Sequence, residues 1–311
     1  MRRIILYSVL SLAAVLFTAS CGKDNPSGDS IIVVPSDNMN PFDKWLEANY
    51  VDPYNIEVKY RYEMDETLSY SYYTVPADLD CSIILAHLVK YLCIDAYDEV
   101  VGISFTRHYF PKMFYFIGEW EYNNNNTFRL GTAEGGRKIF LTGVNYVQAV
   151  IDGTYKGMGA SAVNWSVPGD ALNHFYIKTI HHEFTHILNQ TKDLPNDFVQ
   201  VTPTDYVNDE WNEFDDYLQK GIISAYAQKN EREDFAEMMS LYITNPKSVW
   251  DGWVTAAGTD GAALIQTKID IVKSYMKSNF DISLDDLRDV VLRRQSEVAS
   301  GAVDLTSLDV K

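Results

Sequence analysis

The residues best suited to chemistry lie in the stretch HHEFTH at positions 181–186. His182 and His186 are four residues apart, so on a helix both imidazoles leave the same face about one turn apart, which suits two ligands of one tetrahedral zinc ion. The Glu183 carboxylate would then lie over the open metal position, where it can take a proton from a zinc-bound water whose pKa the metal lowers. This chemistry requires a helix over these residues.

The surrounding residues predict a helix over 171–190 independently of the histidines. The turn PGD at 168–170 ends in Asp170, a favourable N-cap residue. Apolar side chains then recur at steps of three or four, at Leu172, Tyr176, Ile180, Phe184 and Ile187. Because the two histidines lie nearly opposite this stripe, one face can pack on a core while the other faces a cleft. The alternative is a chance match on a helix whose histidines are exposed or merely hydrogen-bonded.

A catalytic zinc site needs a third protein ligand, and carboxylates further along the chain can supply it. A third histidine six residues beyond the second is absent, since that position is Lys192. The segment 233–242 is apolar-periodic and predicts a second helix, on which Glu233 and Glu237 are again four residues apart. We predict that Glu233 binds the metal and that Glu237 accepts a hydrogen bond from a ligand histidine and fixes its tautomer. Asp234 points about 100° away and is the weaker candidate, although it and Glu237 remain alternatives as ligands.

The sequence HEFTH followed by EDFAE at 233–237 resembles the gluzincin metallopeptidases, and a tyrosine seven residues before Glu233 is similar to the lethal-factor-like branch of that group. The resemblance implies an α+β, zincin-like fold in which a mixed-sheet upper lobe and a helical lower lobe flank a cleft with one zinc ion per chain. It also implies that the hydroxyl of this tyrosine, Tyr226, hydrogen-bonds the oxyanion of the tetrahedral intermediate, a suitable role for a neutral phenol beside a metal. The similarity covers about 170–244 and indicates a zinc hydrolase without naming its substrate.

The chain before the histidines predicts one helix and several strands, the order expected of the upper sheet of a zincin. The helix is predicted at 79–100, and strands are predicted at 56–64, 112–117, 127–131 and 138–144. We also predict an edge strand at 159–165 that holds an extended substrate beside the metal, so that truncating Val163 would raise KM for long peptides. Further predictions are a cleft-shaping loop at 189–205, helices at 211–221, 262–276 and 283–296, and a turn of the chain at 246–258.

Other reactive side chains are not predicted to bind the metal, and His181 is predicted either to be structural or to support a ligand residue. His181 projects about 100° away from the ligand face. Cys81 and Cys93 would lie about 18 Å apart on one helix, too far for a disulfide, and are predicted to be buried apolar fillers.

The N-terminus has the layout of a signal peptide. Two arginines precede an apolar run at 4–17 that is too short to be a stable membrane anchor, and small residues lead up to Cys21. A cysteine in that place resembles the lipobox of bacterial lipoproteins, in which it becomes the lipidated N-terminus. The alternatives are cleavage by the ordinary signal peptidase near Ala19 or Ser20, and an uncleaved membrane anchor.

These features define three predicted regions: a lipoprotein signal peptide at 1–20, a flexible tether at 21–30 and one zincin-like metallopeptidase domain at 31–311. We expect an outer-membrane lipoprotein, on the periplasmic or cell-surface face. Without the signal peptide the chain keeps 24 basic and 43 acidic residues, a net charge near −19. Such an acidic chain argues against a nucleic-acid partner and against electrostatic adhesion to anionic lipid.

The motifs and the signal together predict a lipid-anchored zinc metallopeptidase that hydrolyses peptide or glycopeptide bonds. This combination looks like the substrate import-associated zinc metallohydrolase lipoproteins, and that resemblance implies an outer-membrane TonB-dependent importer as a partner. The competing hypothesis is a non-catalytic surface module, in which a zincin scaffold binds peptide or glycan and delivers it to a transporter. A third is zinc-dependent hydrolysis of an amide in a non-peptide substrate. We expect a monomer.

Overall fold

The structure is a computed structural model that describes residues 39–63, 72–124 and 127–310. Within these ranges it combines one small mixed sheet, a two-stranded ribbon and many helices, so the predicted α+β class is confirmed. The described residues from Asn40 onward group into one compact unit. The predicted signal peptide, the tether and Cys21 lie outside the described residues. None of the described helices combines the length and the apolar character needed to cross a membrane.

The helices supply most of the core. In chain order, the α-helices of four or more described residues are α1 (Pro41–Leu46), α2 (Leu79–Val89), α3 (Asp95–Val101), α4 (Ile103–Tyr109), α5 (Val147–Ile151), α6 (Lys178–Thr191), α7 (Asn196–Val199), α8 (Glu231–Thr244), α9 (Lys247–Ala256), α10 (Gly258–Phe280) and α11 (Leu284–Ala299). Single helical turns lie at Asp52–Tyr54 and Asp170–Leu172. π-helical turns at Glu47–Val51, Lys90–Ile94 and Asn173–Ile177 extend α1, join α2 to α3 and lead into α6.

Four of the six described strands form one mixed sheet. The strands are β1 (Glu57–Lys59), β2 (Met113–Phe116), β3 (Glu121–Tyr122), β4 (Phe128–Arg129), β5 (Gly131–Glu134) and β6 (Lys138–Leu141). The sheet order is β1-β2-β6-β5, in which β5 is antiparallel to β6 and the other pairs are parallel. β3 and β4 pair as a separate antiparallel ribbon. β5 is therefore an edge strand of opposite direction to its sheet, and it packs against α6.

Helix α6 is held by the apolar stripe that its sequence predicts. Ile180, Phe184 and Ile187 are buried, and the Phe184 ring lies 4.0 Å from the ring of Phe110 and 5.1 Å from that of Tyr97, measured between centroids. Burial of a phenylalanine side chain contributes about 1.5–3 kcal/mol to stability. The packing fixes the rotation of α6, so its polar face is presented to β5 and α8.

Gly131 lets the edge strand β5 approach α6 closely. A Cβ atom at this position would lie 2.9 Å from Cγ2 of Thr179 and 3.0 Å from the carbonyl oxygen of Phe140. We expect Gly131→Ala to force β5 away from α6 and to lower the free energy of unfolding by about 1–3 kcal/mol in urea titrations. Gly252→Ala is the control, because a Cβ at that exposed position in α9 meets nothing within 4 Å. Equal stability of the Gly131 variant and the wild type would show that the close approach is not required.

Most predicted elements around the site are confirmed. The helix predicted at 79–100 corresponds to α2 and α3, and those at 171–190 and around 233–242 correspond to α6 with its preceding turns and to α8. The helices predicted near the C-terminus are α10 and α11. β1, β2, β4 and β6 lie within their predicted ranges but are shorter. Cys81 and Cys93 are both free, and only Cys93 is fully buried.

The prediction of an edge strand at 159–165 is wrong. The chain forms a short 3-10 turn at Ala160–Ala162, and Val163 is buried rather than placed at a sheet edge. The edge strand beside α6 is β5, whose Gly-Thr-Ala-Glu sequence carries little of the β-branched and aromatic character that marks strands. The expected effect of truncating Val163 on KM loses its basis.

Two further predictions of local structure are wrong. The segment 211–221 forms turns and a short 3-10 helix, Leu218–Lys220, because its acidic residues and Gly221, at φ 75°, do not support a regular helix. The predicted turn at 246–258 is helix α9, which begins directly after Pro246. A proline at the start of a helix loses no intrahelical hydrogen bond, so it initiates this helix rather than breaking it.

The residues before α6 also differ in detail. The chain enters the helical region before α6 with the turn Asp170–Leu172. The N-cap of this turn is Gly169, in the left-handed region at φ 85°, and not Asp170. The Asp170 carboxylate instead accepts a hydrogen bond from the backbone N–H of Asn164 at 2.8 Å. The turn signal was correct, but the cap lies one residue earlier because glycine adopts this backbone conformation without strain.

Candidate metal site

Three side chains converge between α6 and α8. Oε2 of Glu233 lies 3.0 Å from Nε2 of His182 and 3.1 Å from Nε2 of His186, and the two Nε2 atoms are 3.1 Å apart. The three candidate ligand atoms therefore lie within 4.8 Å of one another. Two imidazole nitrogens and one carboxylate oxygen are the donor set of many catalytic zinc sites, in which a water takes the fourth position. The residues present fit a zinc ion.

Local structure sets each donor in place. The four-residue spacing on α6 puts His182 and His186 on one face. On α8, the Asn230 side chain caps the helix by accepting hydrogen bonds from the backbone N–H groups of Arg232 and Glu233, each at 3.0 Å. The cap places Glu233 in the first turn, so its side chain projects from a fixed helix end toward α6.

Glu237 lies one turn further along α8 and supports the first histidine. Its Oε1 atom lies 2.8 Å from Nδ1 of His182, close enough for an ion pair although the contact lacks the alignment of a good hydrogen bond. Lys178 Nζ donates to the same oxygen at 2.8 Å, and the Ser224 hydroxyl donates to Oε2 at 2.8 Å. Burial alone would raise the pKa of Glu237, but Lys178 and His182 hold it well below its usual range. Glu237 is therefore an anion that orients His182.

Protonation of His182 is coupled to these carboxylates. Burial favours the neutral imidazole, yet the anions Glu233 and Glu237 together raise the pKa of His182 to about 9. The pKa of Glu233 is held well below its usual range by the two histidines, against the effect of its burial. A metal ion binds the neutral imidazole, so metal binding near neutral pH must release the His182 proton.

The metal-free protein should therefore lose stability as the pH rises from 6.5 to 9. A histidine whose folded-state pKa is raised contributes its full stabilisation below its unfolded pKa and loses it as the pH passes the folded pKa. We expect the free energy of unfolding to fall by on the order of 2–3 kcal/mol across this range, in urea titrations with chelator present. Metal-free His182→Gln should show a much flatter alkaline limb. A wild-type stability that is constant between pH 6.5 and 9 would contradict the coupling.

Asp234, the weaker ligand candidate, and His181, the neighbour of the first ligand histidine, both point away from the site. Asp234 is fully buried on a different face of α8, 2.6 Å from Nζ of Lys268, and accepts a hydrogen bond from the Tyr206 hydroxyl at 2.9 Å. His181 is fully buried, with Nδ1 3.8 Å from Sγ of Cys93, and burial lowers its pKa to about 3. Asp234 thus joins α8 to α10, and His181 is a neutral core residue.

Glu183 and Tyr226 lie in the same cleft as the three donors. Oε2 of Glu183 accepts a hydrogen bond from the backbone N–H of Ala133 in β5, at 2.7 Å. The Tyr226 ring lies 5.8 Å from the His182 ring and 5.1 Å from that of Trp211, measured between centroids. Burial and the neighbouring carboxylates raise the pKa of Tyr226 well above its usual value, so its phenol stays protonated and can donate a hydrogen bond.

The cleft has a volume of about 700 Å³. It is lined by the polar faces of α6 and α8, by β4 and β5 with their flanking residues, and by Asp209, Trp211, Tyr226 and Lys229. The loop predicted to shape it, 189–205, contributes none of these residues. The polar segment that lines the cleft instead begins at Asp209. This segment is acidic and aromatic, but no pattern in it indicates that it forms a cleft wall.

Sequence reasoning missed the residues that support the site. Lys178 lies four residues before His182, so the helical spacing that identified the candidate ligands could also have placed it on the same face. Ala133 contacts Glu183 through its backbone amide. Every residue except proline has this group, so the residue type cannot predict the contact. Ser224 reaches Glu237 only because the turn before α8 folds back onto that helix.

Comparisons with known proteins agree with a zinc site. The protein family described as "Putative zinc-binding metallo-peptidase" matches residues 36–285. The crystal structure of a protein described in the same words, from Bacteroides caccae ATCC 43185, is similar with a TM-score of 0.70 and 35% sequence identity, over 90% of this chain and 100% of that chain. No curated protein matches this chain.

Proposed function

This chain belongs to the family described as "Putative zinc-binding metallo-peptidase", and we propose that it is a zinc metallopeptidase whose one zinc ion is held by His182, His186 and Glu233. A zinc ion in this site would supply a water of lowered pKa and would polarise the carbonyl of the scissile bond. The observation that carries the proposal is the convergence of the three donor atoms in a cleft that also holds the Glu183 carboxylate.

Each remaining step is assigned to a side chain of the cleft. Glu183 takes the proton of the attacking water and passes it to the leaving amine. Tyr226, which stays a neutral phenol, donates a hydrogen bond to the oxyanion that develops on the attacked carbonyl. Glu237, neutralised by Lys178, keeps the His182 ring oriented throughout.

The edge of β5 offers a binding surface for an extended peptide. β5 pairs with β6 along one side only, and successive residues of a strand direct their backbone groups to opposite sides. Since the N–H of Ala133 reaches Glu183, Gly131 and Ala133 direct their backbone groups to the cleft. A substrate added antiparallel or parallel to this edge would bring its scissile bond beside the donors, which favours a peptide or glycopeptide over a compact small molecule.

The proposed cellular setting rests on the sequence of residues 1–30. We propose lipidation of Cys21, placement on the periplasmic or cell-surface face of the outer membrane, and delivery of product to a TonB-dependent importer. Cys21→Ala should release the protein from the membrane fraction of a Gram-negative host, as followed by immunoblot. A variant that remains in the membrane fraction would remove the lipid anchor from the proposal.

The peptidase proposal is tested by metal analysis followed by a cleavage screen. Elemental analysis of residues 22–311 should give one zinc per chain, and a mixed peptide library analysed by mass spectrometry should yield products that disappear with chelator and return with zinc. Absence of zinc after reconstitution would overturn the metal site. Zinc without cleavage of any peptide would favour the non-catalytic binding module or an amide hydrolase acting on another substrate.

A further inference from the structure

The cationic side chains that line the described part of the cleft differ in their partners. Nζ of Lys178 lies 2.8 Å from Oε1 of Glu237, and a guanidinium nitrogen of Arg129 lies 3.3 Å from a carboxylate oxygen of Glu121. Both of these cations are therefore neutralised within the protein. The third cationic side chain of the cleft, Lys229, has no such carboxylate partner among the described residues.

Nζ of Lys229 has no carboxylate oxygen within 4.0 Å among the residues that the structure describes. Its ammonium group lies over the face of Tyr226, 5.6 Å from the ring centroid. Asp209 lines the same cleft but forms no ion pair with it. Lys229 is half-buried, so its ammonium group carries a charge that no ion pair with the described residues neutralises, beside the proposed reaction centre.

The backbone around Lys229 is held firmly. The preceding residue, Gln228, is fully buried, and its side-chain amide donates to the carbonyl oxygens of Trp211 and Phe214 at 3.1 and 3.0 Å. The following residue, Asn230, caps helix α8. Lys229 therefore projects from a fixed point four residues before Glu233, and its ammonium group remains available to a molecule in the cleft.

We propose that Lys229 determines specificity by binding a carboxylate of the substrate. This inference rests on the proposed peptidase function, because it assigns a chemical class to the substrate of the same cleft. The carboxylate belongs either to the C-terminus of a peptide or to an aspartate or glutamate side chain near the scissile bond. An ammonium–carboxylate contact at a partly desolvated site strengthens binding and excludes substrates that present a cation there.

The test measures binding without requiring hydrolysis. Dansyl-labelled Ala-Ala-Leu-Ala-Ala is prepared with a C-terminal acid or amide, and the amide series carries glutamate or glutamine in place of each alanine. Dissociation constants are measured by fluorescence with zinc-reconstituted Glu183→Gln protein. We expect one acid peptide, or one glutamate position, to bind about tenfold more tightly than its neutral partner. The acid–amide pair and the glutamate–glutamine pairs distinguish the two sources of the carboxylate.

Variants at position 229 in the same background assign the preference. Lys229→Met should abolish it, Lys229→Arg should retain most of it, and Lys229→Glu should favour peptides with lysine at that position. Lys247→Met is the matched control, because Lys247 pairs with Asp251 on the exposed face of α9. Melting temperatures of all variants check that they fold.

The possible outcomes distinguish the carboxylate-binding role of Lys229 from the proposed peptidase activity. A carboxylate preference below about twofold, no measurable binding of any carboxylate peptide, or a preference that survives in Lys229→Met would overturn the role of Lys229. A preference that depends on Lys229, in a protein whose wild type cleaves no peptide, would support the carboxylate site and overturn the peptidase proposal.

Discussion

Glu183→Gln should retain zinc and lose at least about a hundredfold in kcat, because the substitution removes the base that we propose for the attacking water. The glutamine carbonyl can still accept the hydrogen bond that the backbone N–H of Ala133 donates to Glu183. The fold and the edge strand should therefore be preserved, and KM should change little. The measurement is steady-state kinetics on a peptide from the cleavage screen, with elemental analysis of the same sample.

The control for this variant is a change that alters the cleft without removing a proton acceptor. Thr132→Ser keeps the β5 backbone and lies in the cleft wall, so its kcat should stay near that of the wild type. Retained hydrolysis by Glu183→Gln would rule out Glu183 as the base. If the variant instead kept full biological activity in a host although it hydrolysed nothing, the binding-module hypothesis would be favoured.

The candidate donor residues could be found from sequence because helical spacing relates them within each helix, whereas the pairing of α6 with α8 was implied only by the resemblance to the gluzincins. On a helix, the four-residue spacing of His182 and His186 places both side chains on one face. The apolar stripe of α6 independently determines which face is buried. The same geometry separates Glu233 and Glu237 from Asp234. The sequence could not show that Asp234 pairs with Lys268, 34 residues further along the chain. It did show that Asp234 points away from the histidines, because adjacent residues of a helix are rotated by about 100°.

The parts that sequence analysis missed depend on contacts between distant segments. The strand β5 is an edge strand because it pairs with β6 and fits against α6, and its own four residues have weak strand propensity. The 209–229 segment lines the cleft in turns that are held by side chains such as buried Gln228 rather than by regular hydrogen bonding. Such arrangements follow from tertiary packing, which overrides local propensity.

The two glutamates of α8 should differ sharply in their effect on zinc affinity. Glu233→Ala removes one of the three proposed donors and leaves the two histidines without the oxygen that lies 3.0 and 3.1 Å from their Nε2 atoms. Glu237→Ala keeps all donors but frees the His182 ring, a change that typically lowers metal affinity 10–100-fold. We expect Glu233→Ala to weaken zinc binding well beyond that range, measured by competition with a chromophoric chelator at fixed pH.

Glu231→Ala is the matched control for these two variants. It removes a carboxylate from the same first turn of α8, and within the described part of the chain Glu231 forms no ion pair with either histidine. Its zinc affinity should stay within a few-fold of the wild type, which would show that the losses are not a general effect of lowering negative charge near the site. If Glu237→Ala lowered zinc affinity more than Glu233→Ala, Glu237 would be assigned as the metal ligand and Glu233 as the residue that orients His182. The sign of that difference decides which glutamate binds the metal, because both lie on the same face of α8 and both contact His182.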